Sequence, residues 1–305
     1  MSLRQLVVLG TASQVPTKYR NHNGYLLLWD GQGVLFDPGE GTQRQMTRAG
    51  VSATQIHRIC LTHFHGDHCL GLPGVLQRIS LDEVPHPVSV HFPQSGRAYF
   101  DRLRRASIYL DKSDIRPVPH DVDGPVHVDD TLVVHTAKLE HTAPAWGYRL
   151  EEPDGWTVDA DAARAAGVVG RAVGELKRDG EVRVDGRTVR LADVATPRAG
   201  QKVAFLMDTR PCAAAETLAA DVDLLICEST FLQEDEREAH EYGHMTAADA
   251  GRLAAAAGAR RLVLTHFSQR YPLDAPFLEQ AGRFHDDVVA ATDLLRVDVP
   301  GRRSA

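Results

Sequence analysis

The chain has 305 residues, 43% of them hydrophobic, 25% charged, and a net charge of −7. That composition excludes a disordered chain and provides for a full core, while the acidic balance argues against a protein that coats nucleic acid through many lysine and arginine contacts to phosphate. No run of 18 apolar residues occurs, and the start MSLRQLVVLG has neither a basic segment nor a cleavage site, so no membrane span or signal peptide is expected and the cytoplasm is the default location.

Leu6 to Leu9 reads as a short strand, followed by Tyr25 to Trp29 and Val34 to Asp37 as two more around a Gly-rich turn. Between them lies Pro16-Thr17-Lys18-Tyr19-Arg20-Asn21, a polar loop with two cations and an aromatic ring, which could grip phosphates or serve as a solvated turn. Gly39 to Gln45 opens a helix that stops at Gly50, and Ile59-Cys60-Leu61 is a buried strand. Extended past Leu61, that strand would put His63 and His65 on one face, with Gly66 allowing a sharp turn into Asp67 and His68. Three imidazoles and a carboxylate within six residues, behind an apolar run, suit zinc or a similar metal.

Leu72 to Ile79 and Gln94 to Ser107 read as helices flanking a strand at Val88 to Phe92, the alternation of a layered α/β protein. Thr131 to Leu139 is a strand that delivers His141, and Ala145 to Leu150 is the next. From about residue 152 to 200 the texture changes: between Gly155 and Gly200, eight cations face seven acids, and Val-rich patches alternate with turns at Asp179-Gly180 and Asp185-Gly186. This reads as an inserted hairpin arm. Beyond it, Lys202 to Met207 is a strand ending at Asp208, Cys212 to Ala220 a helix, and Leu224 to Cys227 a strand ending at Glu228. Thr246 to Ala257 is an Ala-rich helix, and Arg261 to Leu264 a strand delivering His266. Leu264-Thr265-His266-Phe267 echoes Leu61-Thr62-His63-Phe64, as two half-sheets feeding one site would require.

Gathered at strand ends are His63, His65, Asp67, His68, His141, Asp208 and His266, five imidazoles and two carboxylates. One tetrahedral zinc needs three or four ligands, so seven fit two metals if a carboxylate bridges. The four cysteines (Cys60, Cys69, Cys212, Cys227) occur singly, as reduced thiols rather than a disulfide framework.

The HxHxDH run resembles that of the metallo-β-lactamase fold superfamily, which implies an αββα sandwich. The blocks LGTASQVPTKYRN, FDPGEGTQRQ, LTHFHGDHCLGLPG, WGYRLEE, MDTRPC, DLLICESTF, GHMTAADAG and LTHFSQRY resemble, in order, those of the ribonuclease Z family of tRNA 3′-processing endonucleases, short form. The resemblance implies one domain over 1–305 with a flexible tRNA-binding arm at 152–200, cytoplasmic and homodimeric, that removes the 3′ trailer from precursor tRNA. Products would be a 3′-hydroxyl on the tRNA and a 5′-phosphate on the trailer. It implies two Zn2+ per chain, with His63, His65 and His141 on one, Asp67, His68 and His266 on the other, and Asp208 bridging. It further implies Asp67 as proton acceptor, His244 acting at the scissile phosphate or leaving oxygen, Glu228 orienting His244, and Lys18, Arg20 and Asn21 beside the cleavage site. Two departures stand out: Met207 precedes Asp208 where the family commonly has Gly, and Gly170-Arg171 replaces the arm's usual Gly-Pro. The alternatives within the same fold or outside it are a general phosphodiesterase or arylsulfatase-like hydrolase and a metal-holding RNA-binding scaffold. Lys18, Arg20 and the arm speak against the first, and the intact Asp67 and His244 against the second.

Overall fold

The computed structural model describes residues 4–302; the first three residues of the N-terminal stretch discussed above lie outside them. Strands β1 (Arg4–Gly10), β2 (Gly24–Trp29) and β3 (Gln32–Phe36) run antiparallel, and β4 (Ile56–Cys60), β5 (Val88–Pro93) and β6 (Ile115–His120) extend the same sheet in parallel. A second sheet begins with the antiparallel strands β7 (Gly124–Val128), β8 (Val133–Leu139) and β9 (Ala145–Glu151). After an excursion through β10 (Gly155–Val158), β11 (Glu181–Val184), β12 (Arg187–Arg190) and β13 (Ala195–Arg198), it continues with β14 (Lys202–Leu206), β15 (Leu224–Glu228), β16 (Leu262–Thr265) and β17 (Val288–Ala290). The last strand, β18 (Arg296–Asp298), returns to pair with β1.

Side-chain alternation explains how the sheets stack. In β2, Tyr25, Leu27 and Trp29 join a core that also takes Val203, Phe205 and Met207 from the β14 segment, so this core lies between the sheets. The intervening Leu26 and Leu28 pack with Met46, Leu72, Leu76 and Phe100 of the flanking helices, and Ala204 and Leu206 pack with Leu218 and Leu253 on the other side. Both faces of each sheet are thus buried, which is why the strands read as near-continuous apolar runs. The result is the αββα sandwich, helices outermost. Phe36 and Phe205 stack at 4.4 Å across the inter-sheet core; truncating either to Ala would cost about 3–5 kcal/mol.

Several readings need correction. The strand before the histidine run ends at Cys60, so His63 and His65 stand in a loop rather than on a strand face, and Gly66 begins the short Gly66–Cys69 helix instead of a turn. The reason is local: the Thr62 amide and hydroxyl both donate to the Asp37 carboxylate, which takes the chain off the sheet ladder. The helix expected from Gln94 to Ser107 is confined to Arg97–Arg104, preceded by a 3₁₀ turn. Strand β6 went unread because Pro117 and Pro119 sit in it, which an edge strand tolerates.

The excursion is more than a hairpin. Its base is the β10–β13 pair and its tip the β11–β12 hairpin, turning at Asp185 (φ 48°) and Gly186 (φ 77°), where both residues take the positive φ of a type I′ turn. Three helices fill the space between: Ala160–Ala165, N-capped by Asp159, Arg171–Asp179, and the single turn Leu191–Val194. Ala163, Val168, Leu176, Val189, Leu191 and Val194 form a small core separate from the other three. Helix rather than loop follows from the Ala-rich stretch after a capping aspartate.

Candidate metal centre

The site lies where the two sheets present their strand ends. Asp37 follows β3, the His63–His68 run follows β4, His141 lies beyond β8, Asp208 follows β14, Glu228 ends β15 and His266 follows β16. Asp208 (φ 45°) and His266 (φ 60°) hold left-handed backbone that costs non-glycine residues on the order of 1–3 kcal/mol, a strain tolerated where the turn must aim a side chain inward. Gly39 and Gly71 let loops cross here: a Cβ on Gly39 would sit 2.1 Å from the Asp67 carbonyl oxygen, and one on Gly71 1.9 Å from that of Gly39.

Seven expected ligands converge. Atoms of His63, His65, His141 and Asp208 lie within 4.8 Å of one another, as do those of Asp67, His68 and His266. The Asp208 carboxylate divides between the groups: Oδ1 lies 3.1 Å from His266 Nε2 and 3.4 Å from His68 Nε2, while Oδ2 lies 3.5 Å from His63 Nε2 and 3.6 Å from His141 Nε2. Asp67 Oδ2 lies 3.4 Å from His68 Nε2 and 3.5 Å from His266 Nε2.

A second ring of contacts fixes which nitrogen faces inward in four of the five imidazoles, while His65 turns its Nδ1 toward His141 Nε2 at 3.4 Å. His68 Nδ1 is 2.8 Å from Asp37, and His141 Nδ1 is 2.9 Å from the Gly243 carbonyl. Thr62 donates its hydroxyl to Asp37 and so accepts from His63 Nδ1 at 3.0 Å; Thr230 donates to Glu228 and accepts from His266 Nδ1 at 2.8 Å. With Nδ1–H engaged, these four rings turn the Nε2 lone pair to the centre, the tautomer a metal needs. His63 Nε2, His266 Nε2 and Asp208 Oδ1 are buried without any hydrogen-bond partner. Buried polar atoms left so cost about 1–3 kcal/mol each, and a bound cation would satisfy all three. The donor set of imidazole and carboxylate fits zinc.

The electrostatics agree. Burial, reinforced by His68, pushes His63 well below its ordinary pKa, and burial lowers His141, so both stand neutral and ready to coordinate. Burial alone would raise Asp67 and Asp208, but the surrounding imidazoles outweigh it and hold both carboxyls ionised. His68 shows the reverse balance: burial is overcome by Asp208, Asp67 and Asp37, and the ring pKa rises well above normal. So many carboxylates around one ring call for positive charge, from a proton or a metal.

Beside this cluster, His244 Nδ1 lies 2.9 Å from Glu228 Oε1. Burial lowers the His244 pKa, yet Glu228 and then Asp208 overcome it and push it up to about 9. His244 also falls in a cluster with Asp208 and His266, but it lines the open cavity with its Nδ1 taken by Glu228. Both groups open on a cavity of about 780 Å³ lined by His65, Asp67, Asp208 and His244, with Phe231 and Tyr242 stacked at its wall.

The Lys18, Arg20 and Asn21 loop reaches the site through Gln14, whose amide donates to Asp67 Oδ2 at 2.7 Å. Lys18 lies against Tyr19 at the surface. Arg20 is otherwise occupied: it pairs with Asp274, donates to Thr11 and lies 4.4 Å over the Phe267 ring. Asn21 donates to the Glu40 carbonyl through Nδ2 and to Asp293 through its amide. Sequence reasoning missed Asp37 as an orienting residue; the signal was an aspartate directly after an apolar strand, parallel to the one before the histidine run.

Comparison with known proteins agrees with this geometry. The pattern of the family described as "Metallo-beta-lactamase superfamily" matches residues 18–189, and that of a "Beta-lactamase superfamily domain" residues 171–267. The chain is 56% identical to a ribonuclease Z of Nocardia farcinica, over 99% of this chain and 100% of that one, and 53% identical to one of Streptomyces coelicolor with the same coverage. Among solved structures, the short form of human tRNase Z superposes with a TM-score of 0.70 at 25% identity, covering 97% of this chain and 99% of that one. A metallo-β-lactamase fold protein of Bacillus subtilis gives 0.71 at 17% identity, which speaks for the fold alone. The chain belongs to the ribonuclease Z family of the metallo-β-lactamase superfamily and is a metal-dependent enzyme of that family.

Proposed function

We propose that this chain is a zinc-dependent endoribonuclease that cuts precursor tRNA after the discriminator nucleotide, leaving a 3′-hydroxyl on the tRNA and a 5′-phosphate on the trailer. The observation that carries the reading is the Asp208 carboxylate, one oxygen toward each triad of ligands. His63, His65 and His141 would hold one zinc ion, Asp67, His68 and His266 the other, and Asp208 both. Two zinc ions there would supply Lewis acidity, lowering the pKa of water and neutralising charge on a phosphoryl oxygen.

The chain's own groups supply the rest. Asp67, kept ionised and fixed by the Gln14 amide, is placed to take a proton from the attacking water. His244, protonated at neutral pH and with Nδ1 spent on Glu228, has Nε2 left to protonate the leaving ribose 3′-oxygen. Glu228 orients that ring and accepts the Thr209 amide at 2.7 Å, so it cannot swing away. Lys18, which lies against the Tyr19 ring and has no ion-pair partner among the described residues, would meet a phosphate, whereas Arg20 and Asn21 give the loop its shape. The unit at 152–200, with its own core and exposed Arg164, Lys177, Arg183 and Arg187, would hold the tRNA body as an arm of a single domain. A homodimer in the cytoplasm belongs to the same reading, by likeness to the family; among the described residues no helix is long and apolar enough to cross a membrane. The test is to incubate the purified protein with end-labelled precursor tRNA and map both product ends. Cleavage at another position, or of bis(p-nitrophenyl) phosphate alone, counts against the reading.

A further inference from the structure

On the first-sheet side of the site, away from the main cavity, the Pro16–Asn21 loop and the Thr42–Ala49 helix enclose a groove of about 330 Å³. Lys18 stands on one wall, Arg44 and Arg48 on the other, one helical turn apart and both exposed. Among the described residues Arg44 has no hydrogen-bond or ion-pair partner, and Arg48 donates only to the Gln45 side chain. The acid at the floor, Asp293, lies in the field of Arg48 and Arg20, but its oxygens accept from the Thr11 hydroxyl, the Asn21 amide and the Gln45 side chain. The groove therefore carries four cations, of which Arg20 is paired with Asp274, against one hydrogen-bonded carboxylate in a chain whose net charge is −7. Tyr19, 80% exposed, stands at its edge.

We propose that this groove holds single-stranded RNA leaving the centre, namely the 3′ trailer of the precursor, with Arg44 and Arg48 on its phosphates and Tyr19 under a base. The inference rests on the ribonuclease reading above and extends it to the departing strand. Position supports it. Gln14 touches Asp67, and the four residues from there to Lys18 span at most ~14 Å, so the groove lies within a few nucleotides of the scissile bond. Size fits as well, because a groove of about 330 Å³ accommodates a phosphate and its base. Cations beside an exposed aromatic ring are the means by which proteins hold single strands without reading sequence.

The experiment compares two precursor tRNAs with the same body, one with a single-nucleotide trailer and one with a long unstructured trailer, cut by the wild-type protein and by the R44A/R48A double variant. Both positions are exposed, and an unchanged melting temperature confirms that the variant folds. The variant should raise KM for the long trailer by roughly 10-fold or more, the worth of one charge-assisted hydrogen bond. The salt dependence of that KM should become shallower by about one to two units. The short-trailer precursor should change far less. Equal KM increases on both substrates would place the contact on the tRNA body and overturn the inference, as would no change on either. Failure of the wild type to cut either precursor, while it hydrolyses a small phosphodiester, would overturn the ribonuclease reading itself.

Discussion

The imidazole of His244 meets the carboxylate of Glu228 at 2.9 Å, and that carboxylate has no exposed surface. A buried anion holds such a partner protonated, whereas burial leaves His63 and His141 nearby without a proton. Glu228 thus assigns His244 the role of a proton donor beside the cluster.

A first prediction follows from that assignment. His244→Ala should keep both metals but lose cleavage of precursor tRNA by about 10²- to 10⁴-fold, the worth of general acid catalysis. Its loss on bis(p-nitrophenyl) phosphate should be much smaller, because nitrophenolate departs without a proton whereas a ribose 3′-oxygen needs one. Parallel rate assays and metal analysis check this. Equal losses would assign His244 to phosphoryl charge stabilisation, and a missing metal would make it a ligand.

Asp37 gives a second. It receives His68 Nδ1, the Thr62 hydroxyl and the Thr62 amide, so it fixes the loop that carries four of the ligands. Asp37→Asn keeps the shape but turns an amide group toward one of these donors. Zinc affinity, measured by competition with a chromophoric chelator, should fall by about 10- to 100-fold, as for other outer-shell partners of metal ligands. Unchanged affinity would reduce Asp37 to a loop-packing role.

Acid should weaken the fold through two buried histidines that stand outside the clusters of candidate ligands. Burial lowers His120 to about 4, and burial with help from Arg58 lowers His91 to about 3. The sign is fixed by proton uptake. Below the unfolded value of ~6.5 the unfolded chain binds a proton at each position and the folded one does not, so stability falls as the pH drops from there toward those values. The slope is at most ~1.4 kcal/mol per pH unit for each group. Urea midpoints at pH 7.5 and 5 should differ in the wild type, and differ less in the His91→Gln, His120→Gln double variant. Identical pH dependence in the two proteins would refute this.

Removing the 155–198 unit should separate binding from chemistry. Gly155 and Arg198 are paired neighbours at its base, so the ends can be rejoined, and its core is separate from those of the sandwich. Small phosphodiesters should still be cut, whereas precursor tRNA should lose kcat/KM mainly through KM, with a shallower salt dependence. An unchanged KM would make the arm a bystander.

How much of this could be read beforehand depended on the range of the signal. The seven candidate ligands were legible because they cluster just beyond the ends of apolar strands, and the repeated Leu-Thr-His-Phe marked two strand ends that meet at one site. Nothing local could show that Arg20 is drawn to Asp274, far along the chain, or that Asn21 is spent on Glu40. The orienting role of Asp37 was hidden for the same reason, since it depends on β3 lying parallel to β4. In the arm, a brief Ala-rich helix gives too few periods to stand out from loop, so its small core appeared only with the fold. The prolines of β6 disguised a strand whose edge position permits them.

The most direct test of the central claim is to strip the protein of metal and titrate zinc back while following precursor tRNA cleavage. With Asp208 joining two sets of ligands, activity should rise until about two equivalents per chain are bound and then level off. Full activity at one equivalent would contradict the two-metal centre on which the account rests.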